Sequence, residues 1–185
     1  MIHLSCATVE LGVAELDIIW SAPTPPKVIT TAWRALKGKM PTCDNLLKRN
    51  IAIPPLESLC VLCKMEVETT DHIFFKCESS SAIWTDVAFW LGKNTALHCK
   101  VRDHFNAFIN LGDKKETRAL LGVWAGVIWV LWKTRNECKF QQGEWNKNRV
   151  VADLKSRVWS WMNVYNISKS PCEFRRWFLA ANFNT

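Results

Sequence analysis

The 185-residue sequence is poor in the residues on which most catalytic sites depend. It has one tyrosine, Tyr165, followed by Asn166-Ile167, and no two aspartates are adjacent anywhere. Two-metal phosphoryl transfer needs several converging carboxylates, and the scattered Asp103, Asp113, Glu116 and Asp153 form no such pattern. Seven glycines leave few places for a phosphate-cradling loop, and no Walker loop, G-x-S-x-G or H-E-x-x-H occurs. The expectation is a protein that is not an enzyme and takes no small-molecule substrate.

Long hydrophobic runs are also missing. The longest, Ala119 to Trp132, covers roughly 21 Å as a helix against a hydrocarbon core of about 30 Å, so no membrane partner is expected. Gly122 and Gly126 make a G-x-x-x-G step within it, which in a soluble core allows close helix contact. The first twenty residues lack a basic n-region and contain Glu10, Glu15 and Asp17, unlike a secretory signal or transit peptide. The reading is an intracellular protein, of nucleus or cytoplasm. Asn166-Ile167-Ser168 is then a chance sequon, and the eight unevenly spaced cysteines are reduced thiols.

Apolar residues make up 49% and charged residues 22% of the chain, with eleven tryptophans, a globular balance. Ten basic and ten acidic residues fall within the first hundred positions, against fourteen and seven beyond, so the whole +7 excess lies in the C-terminal part. Helical signals dominate. Pro25-Pro26 opens a helix through Lys37 that Gly38 closes. Thr42 is placed to cap Cys43 to Arg49, and Ser79 to Ser81 precede a helix from Ala82 to Leu91 stopped by Gly92. Arg102 to Leu111 and Glu116 to Phe140 follow. Val151, Leu154, Val158, Trp161, Met162 and Tyr165 then share one face of an amphipathic helix, and Pro171 starts a last short helix to Ala180. The only strand signal is a short β-hairpin from Val61-Leu62 and Met65 to Thr69. The fold class is mainly α: a small helical module stapled through Cys60, Cys63, His72 and Cys77, followed by a helical region. The expected divisions are an N-terminal segment 1–19, a metal-binding domain 20–92 and a basic, Trp-rich region 93–185, with the seam between Lys93 and Cys99.

Cys60-x-x-Cys63, His72 and Cys77 give C-x2-C-x8-H-x4-C, four ligands for a structural Zn2+. One tight turn presents the first two thiolates, and the later pair closes the tetrahedron with no position left for a catalytic water. Five residues span about 140° of a regular helix, so the chain must bend between His72 and Cys77, with Ile73, Phe74 and Phe75 packed inward. The alternative is two buried cysteines and an incidental histidine. Cys6, Cys43, Cys99, Cys138 and Cys172 lack ligand spacing, and a second site from His98, Cys99, Asp103 and His104 is the weaker reading.

From about Trp20 to Trp90 the chain resembles the reverse-transcriptase zinc-binding domain of plant LINE-type non-LTR retrotransposons. The likeness rests on Pro26-Lys27-Val28, Trp33-Arg34, Gly38 to Thr42, Leu46 with Arg49, Cys60-x-x-Cys63, Glu68-Thr69, Asp71-His72, Phe74-Phe75, Cys77 and Trp84. Trp132-Lys133-x-Arg135-Asn136 resembles a W-K-x-R-N helix that follows the finger in such elements, extending the likeness to about Phe140. The resemblance implies that Cys60, Cys63, His72 and Cys77 hold zinc and that the module follows the polymerase part of a polyprotein. The polymerase's own tyrosine-x-Asp-Asp turn is absent. Lys64 stands where the family often has glycine; if that position needs positive φ, lysine adds strain.

Binding of RNA or DNA template is the function the resemblance implies, and charge says where. Glu57 to Glu78 carries two basic and five acidic residues, a poor phosphate binder. The candidates are Lys37, Lys39, Lys48 and Arg49 before the finger, and Lys133, Arg135, Lys139, Lys147, Arg149, Arg157, Arg175 and Arg176 after it. The plainer reading of these residues is solvated helix faces. Trp33, Trp84, Trp124, Trp129, Trp161 and Trp177 read as core and Trp145 and Trp159 as exposed. The competing functions are a module that docks on a reverse transcriptase or another protein, supported if the Leu120 to Trp132 helix exposes an apolar patch, and a remnant of a decayed element.

Overall fold

The computed structural model describes residues 13–93, 98–112 and 114–165. The expected helix from Pro171 to Ala180, together with Cys6, Cys172, Arg175, Arg176 and Trp177, lies outside the described residues. A 3-10 helix, Val13–Ser21, leads into α1, Pro26–Leu36. Pro25 holds the extended backbone before the helix and Pro26 the first turn. Val28, Ile29, Ala32, Ala35 and Leu36 bury one face of α1. The chain leaves it through Gly38 at φ +63°, a left-handed position that glycine takes without strain.

Helix α2, Cys43–Leu47, is two residues shorter than expected. Thr42 precedes it, but its hydroxyl donates to Asp44 Oδ1 at 2.6 Å and accepts no helix amide. Helix α3, Glu78–Leu91, starts four residues earlier than the serine run suggests, because Cys77 itself is the capping position. The Ser80 and Ser81 hydroxyls donate backwards, to the carbonyls of Ile73 and Phe75. Gly92, at φ +62°, ends α3 as expected. Helices α4, Val101–Ile109, α5, Lys114–Phe140, and α6, Lys147–Val164, complete the order.

The central element is α5. It packs against α1, α4, α6 and the segment His72–Lys76, and residues 119–128 are buried on every side. A helix apolar all round belongs inside a core, so the Leu120 to Trp132 stretch offers no exposed patch; the expectation that docking would show there is corrected. A Cβ on Gly122 would lie 2.5 Å from Met162 Cε and 3.0 Å from Pro23 Cγ, and one on Gly126 3.1 Å from Val158 Cγ2. The G-x-x-x-G step is thus where α6 crosses α5. Val150, Leu154, Val158, Trp161 and Met162 form the buried face of α6; Val150 replaces the expected Val151, and Tyr165 sits at the rim with its hydroxyl on the Thr24 carbonyl.

One continuous apolar core runs from Ile19 through Cys60, Cys77, Phe74 and Trp84 to Trp124, Leu131 and Met162. Fully burying each of its large side chains contributes about 1.5–3 kcal/mol. Trp84 and Trp124 are fully enclosed and Trp161 nearly so, whereas Trp159 is 38% exposed. No described helix is long and apolar enough to cross a membrane.

Candidate metal centre

The first two ligands come from a knuckle held by its own backbone. Leu59 and Val67 form a single antiparallel bridge, the Cys60 amide donates to Glu66 O at 2.7 Å, and the Glu68 amide donates to Ser58 O at 2.9 Å. This is what the expected hairpin becomes: Val61 and Leu62 lie in the turn itself, and no strand forms among the described residues. The Lys64 amide closes the turn on Cys60 O at 2.7 Å, which requires Lys64 to take φ +58°. The position that calls for positive φ is therefore filled by a lysine.

The second pair is delivered by a widened turn. Residues His72–Lys76 are π-helical, and the Cys77 amide bonds the His72 carbonyl five residues back at 2.8 Å. A regular helix would set His72 and Cys77 far apart in azimuth; an i→i+5 turn carries five residues a little past one circuit and brings them closer together. Ile73, Phe74 and Phe75 are buried beneath it. The Trp84 indole donates to the Phe74 carbonyl at 2.8 Å, fixing a group the π-turn leaves free.

Cys60 Sγ, Cys63 Sγ, a His72 ring nitrogen and Cys77 Sγ all lie within 4.8 Å of one another. Cys60 and Cys77 sulfurs are 3.9 Å apart, and Cys63 Sγ is 3.3 Å from His72 Nε2. A tetrahedron with metal–sulfur bonds of about 2.3 Å has sulfur–sulfur edges of about 3.8 Å, so the four donors fit one ion. His72 Nδ1 lies 3.1 Å from Glu66 Oε2; as the donor to that carboxylate it turns the Nε2 lone pair toward the sulfurs, the usual partner of a metal-bound imidazole.

The Cys60 thiol points its hydrogen at the Cys77 sulfur. Cys77 is lowered to about 5, first because the Cys60 thiol donates to its sulfur, against burial, and with help from the Ser80 and Ser79 amides at the start of α3. Cys60 is pushed up by that same bond to Cys77 and by burial.

Behind the knuckle is a buried ion pair. Arg135 on α5 donates from Nε to Glu68 Oε2 at 2.8 Å and from Nη2 to Glu68 Oε1 at 2.5 Å; the side chains are 3% and 0% exposed. The guanidinium lies 4.7 Å from the Trp132 ring centre and 5.5 Å from that of Phe140, and Trp132 meets Phe74 at 6.4 Å. The W-K-x-R-N stretch is a latch that joins α5 to the finger. Arg135, expected to meet a polyanion, is withdrawn from solvent, because a bidentate partner and two aromatic rings occupy its planar head. Sequence reading counted Glu68 among the acids of the finger and within the family likeness, without a partner; that partner is 67 residues away, beyond any local pattern.

The remaining expected cations are divided. Lys139 donates to Glu57 O at 3.0 Å and reaches Cys43 Sγ at 3.2 Å, bracing α5 against the loop before the finger. Lys133 and Arg157 share Asp153 and lie over the Trp129 ring. Lys147 pairs with Asp86 and Lys48 with Asp44. Lys37 lies over Trp33. Lys39, Arg49 and Arg149 are exposed and make no ion pair among the described residues. No second metal-holding group occurs among the described residues: His104 is enclosed, with Trp124 Nε1 donating to its Nδ1 at 3.2 Å.

Residues 6–84 match the sequence model of the family described as zinc-binding in reverse transcriptase. This segment is a reverse-transcriptase zinc-binding domain. All four clustered donors lie inside the match, whereas the latch helix α5 lies outside it. The zinc-binding domain thus draws Arg135, a buried structural partner, from sequence beyond its matched limits. No curated protein and no solved structure matches the chain.

Proposed function

We propose that the chain is a non-catalytic, zinc-stapled module from the polyprotein of a plant LINE-type retrotransposon, and that it holds template RNA or DNA beside the polymerase. The observation that carries this reading is the geometry of the Cys60, Cys63, His72 and Cys77 donors, all mutually within 4.8 Å, in a loop too acidic to bind phosphate itself. Three thiolates and an imidazole are the ligand set that zinc favours, and with four protein ligands the ion has a structural role. The ion clasps the knuckle to the π-turn, and the basic helices around it meet the nucleic acid.

The test is binding of a labelled single-stranded RNA to the full chain over a salt series. Several phosphate contacts require log affinity to fall steeply with log salt, at about 0.7 per contact; absence of binding at 50 mM salt would remove the nucleic-acid role. A second reading, docking on a polymerase, has one observation in its favour. A groove of about 390 Å3 is lined by Pro41, Leu46, Ile53, Trp132 and Phe140, and Phe140 is 69% exposed.

A further inference from the structure

A cleft lies between the end of α1, helix α2, residues 69–71 and the start of α4. It encloses about 480 Å3. Four cations from three separate elements line it: Lys37 after α1, Lys48 after α2, and Lys100 and Arg102 at the start of α4. Lys100 and Arg102 were not among the cations that sequence reading singled out. Their partners in the cleft, Lys37 and Lys48, lie more than fifty residues away in sequence.

The carboxylates that share the cleft are largely committed. Asp71 Oδ1 accepts the Val101 amide at 3.1 Å, capping α4. Asp44 accepts from the Thr42 hydroxyl and from Lys48. Asp103 is the third. Arg102 Nε donates to the Leu36 carbonyl at 3.2 Å, which fixes its position across the cleft and leaves its terminal nitrogens without a partner among the described residues. Exposed Lys39 and Arg49 follow directly on Gly38 and Lys48 and extend the basic surface.

We infer that this cleft is a seat for the phosphodiester backbone of single-stranded nucleic acid, with Lys37, Lys48, Lys100 and Arg102 as its phosphate contacts. The inference rests on the nucleic-acid reading above and gives it an address. The cleft lining is Asn45, Thr69 and Thr70 with aliphatic Ala35 and Leu36, and no aromatic ring lines the cleft. A strand held there has nothing to stack its bases on, so contacts go to phosphate and sugar and carry no sequence preference. An acidic peptide would need apolar anchor pockets for comparable affinity, and the lining supplies none. Asp71 directly precedes the ligand His72, so the metal centre positions one wall of the cleft without touching the strand.

The experiment uses the full chain, fluorescence anisotropy and labelled twelve-nucleotide uridine RNA, with the thymidine DNA and an adenosine RNA as parallel arms. The triple variant K37Q/K48Q/K100Q is compared with a control, K27Q/K155Q, on α1 and α6; Arg102 is kept because it also holds Leu36. The expected result is a loss of about tenfold or more for the cleft variant at 0.1 M salt, and a salt slope shallower by about 2, at about 0.7 per lost contact. The control should stay within about twofold of the parent, and the three oligonucleotides should bind alike. Unchanged circular dichroism and zinc content confirm that the variants fold. Retained affinity in the cleft variant with loss in the control overturns the cleft, as does equal competition by polyglutamate. Absence of binding by the parent chain instead overturns the nucleic-acid reading itself.

Discussion

Lys64 shows how much one residue reveals about the site around it. Its φ of +58° closes the knuckle between Cys60 and Glu66. A side chain at such an angle costs about 1–2 kcal/mol, part of which glycine returns through its greater freedom in the unfolded chain. Lys64→Gly should therefore raise stability by about 0.5–1 kcal/mol, seen as a higher melting temperature of the metal-loaded protein. A lower one would mean that the lysine side chain contributes contacts of its own. His104 makes a different kind of prediction. Burial lowers its imidazole to about 3, with the nearby charge of His98 adding a smaller push in the same direction, while an unfolded histidine titrates near 6.5. Between those values the unfolded chain holds a proton that the folded chain refuses. Stability is thus intact at neutral pH and is lost as pH falls below about 6.5, by about 1.4 kcal/mol per pH unit. His104→Phe removes the group and should flatten that part of the profile in denaturant titrations between pH 6.5 and 5. Its stability at neutral pH should be lower, because Trp124 Nε1 loses its acceptor. An unchanged slope in the variant would exclude His104 as the source.

Helix α5 packs against both halves of the chain, and its Arg135 makes a buried bidentate ion pair with Glu68. Breaking a buried ion pair from one side leaves an unpaired charge and costs about 3–5 kcal/mol, whereas replacing both partners with apolar groups is often close to neutral. Arg135→Met alone should therefore destabilise the protein by about that amount, and E68M/R135M should recover most of the loss in urea unfolding. Equal losses in the single and double variants would show that the pair contributes attraction of its own and not only mutual neutralisation. Elements with a repeating apolar face were legible in the sequence. The α1 boundaries, the Gly92 stop and the core role of Trp84 and Trp124 followed from periodicity and from glycine and proline positions. The start of α3 was not, because Cys77 caps the helix and the serines bond back to the π-turn. The hairpin reduced to one bridge because the knuckle uses Val61 and Leu62 as turn residues.

At the scale of the molecule, the clustering of Cys60, Cys63, His72 and Cys77 was readable from spacing alone because each lies within eighteen residues of the others. Glu68, Arg135 and the Lys100 and Arg102 wall of the cleft were not, since each depends on a partner supplied by a distant helix. The same distance explains why counting charges along the chain misplaced Arg135: net charge says that cations are present, and only the packed core says which of them are enclosed. The apolar core passes without a break from the finger into α4, α5 and α6, so the metal centre, the latch and the cleft stand on one support. The central claim, that Cys60, Cys63, His72 and Cys77 jointly hold zinc, is tested most directly by elemental analysis of the purified full chain beside its C60S/C63S variant. One zinc per chain in the parent, and close to none in the variant, is the predicted result; a parent without zinc, or a variant that keeps it, would contradict the account.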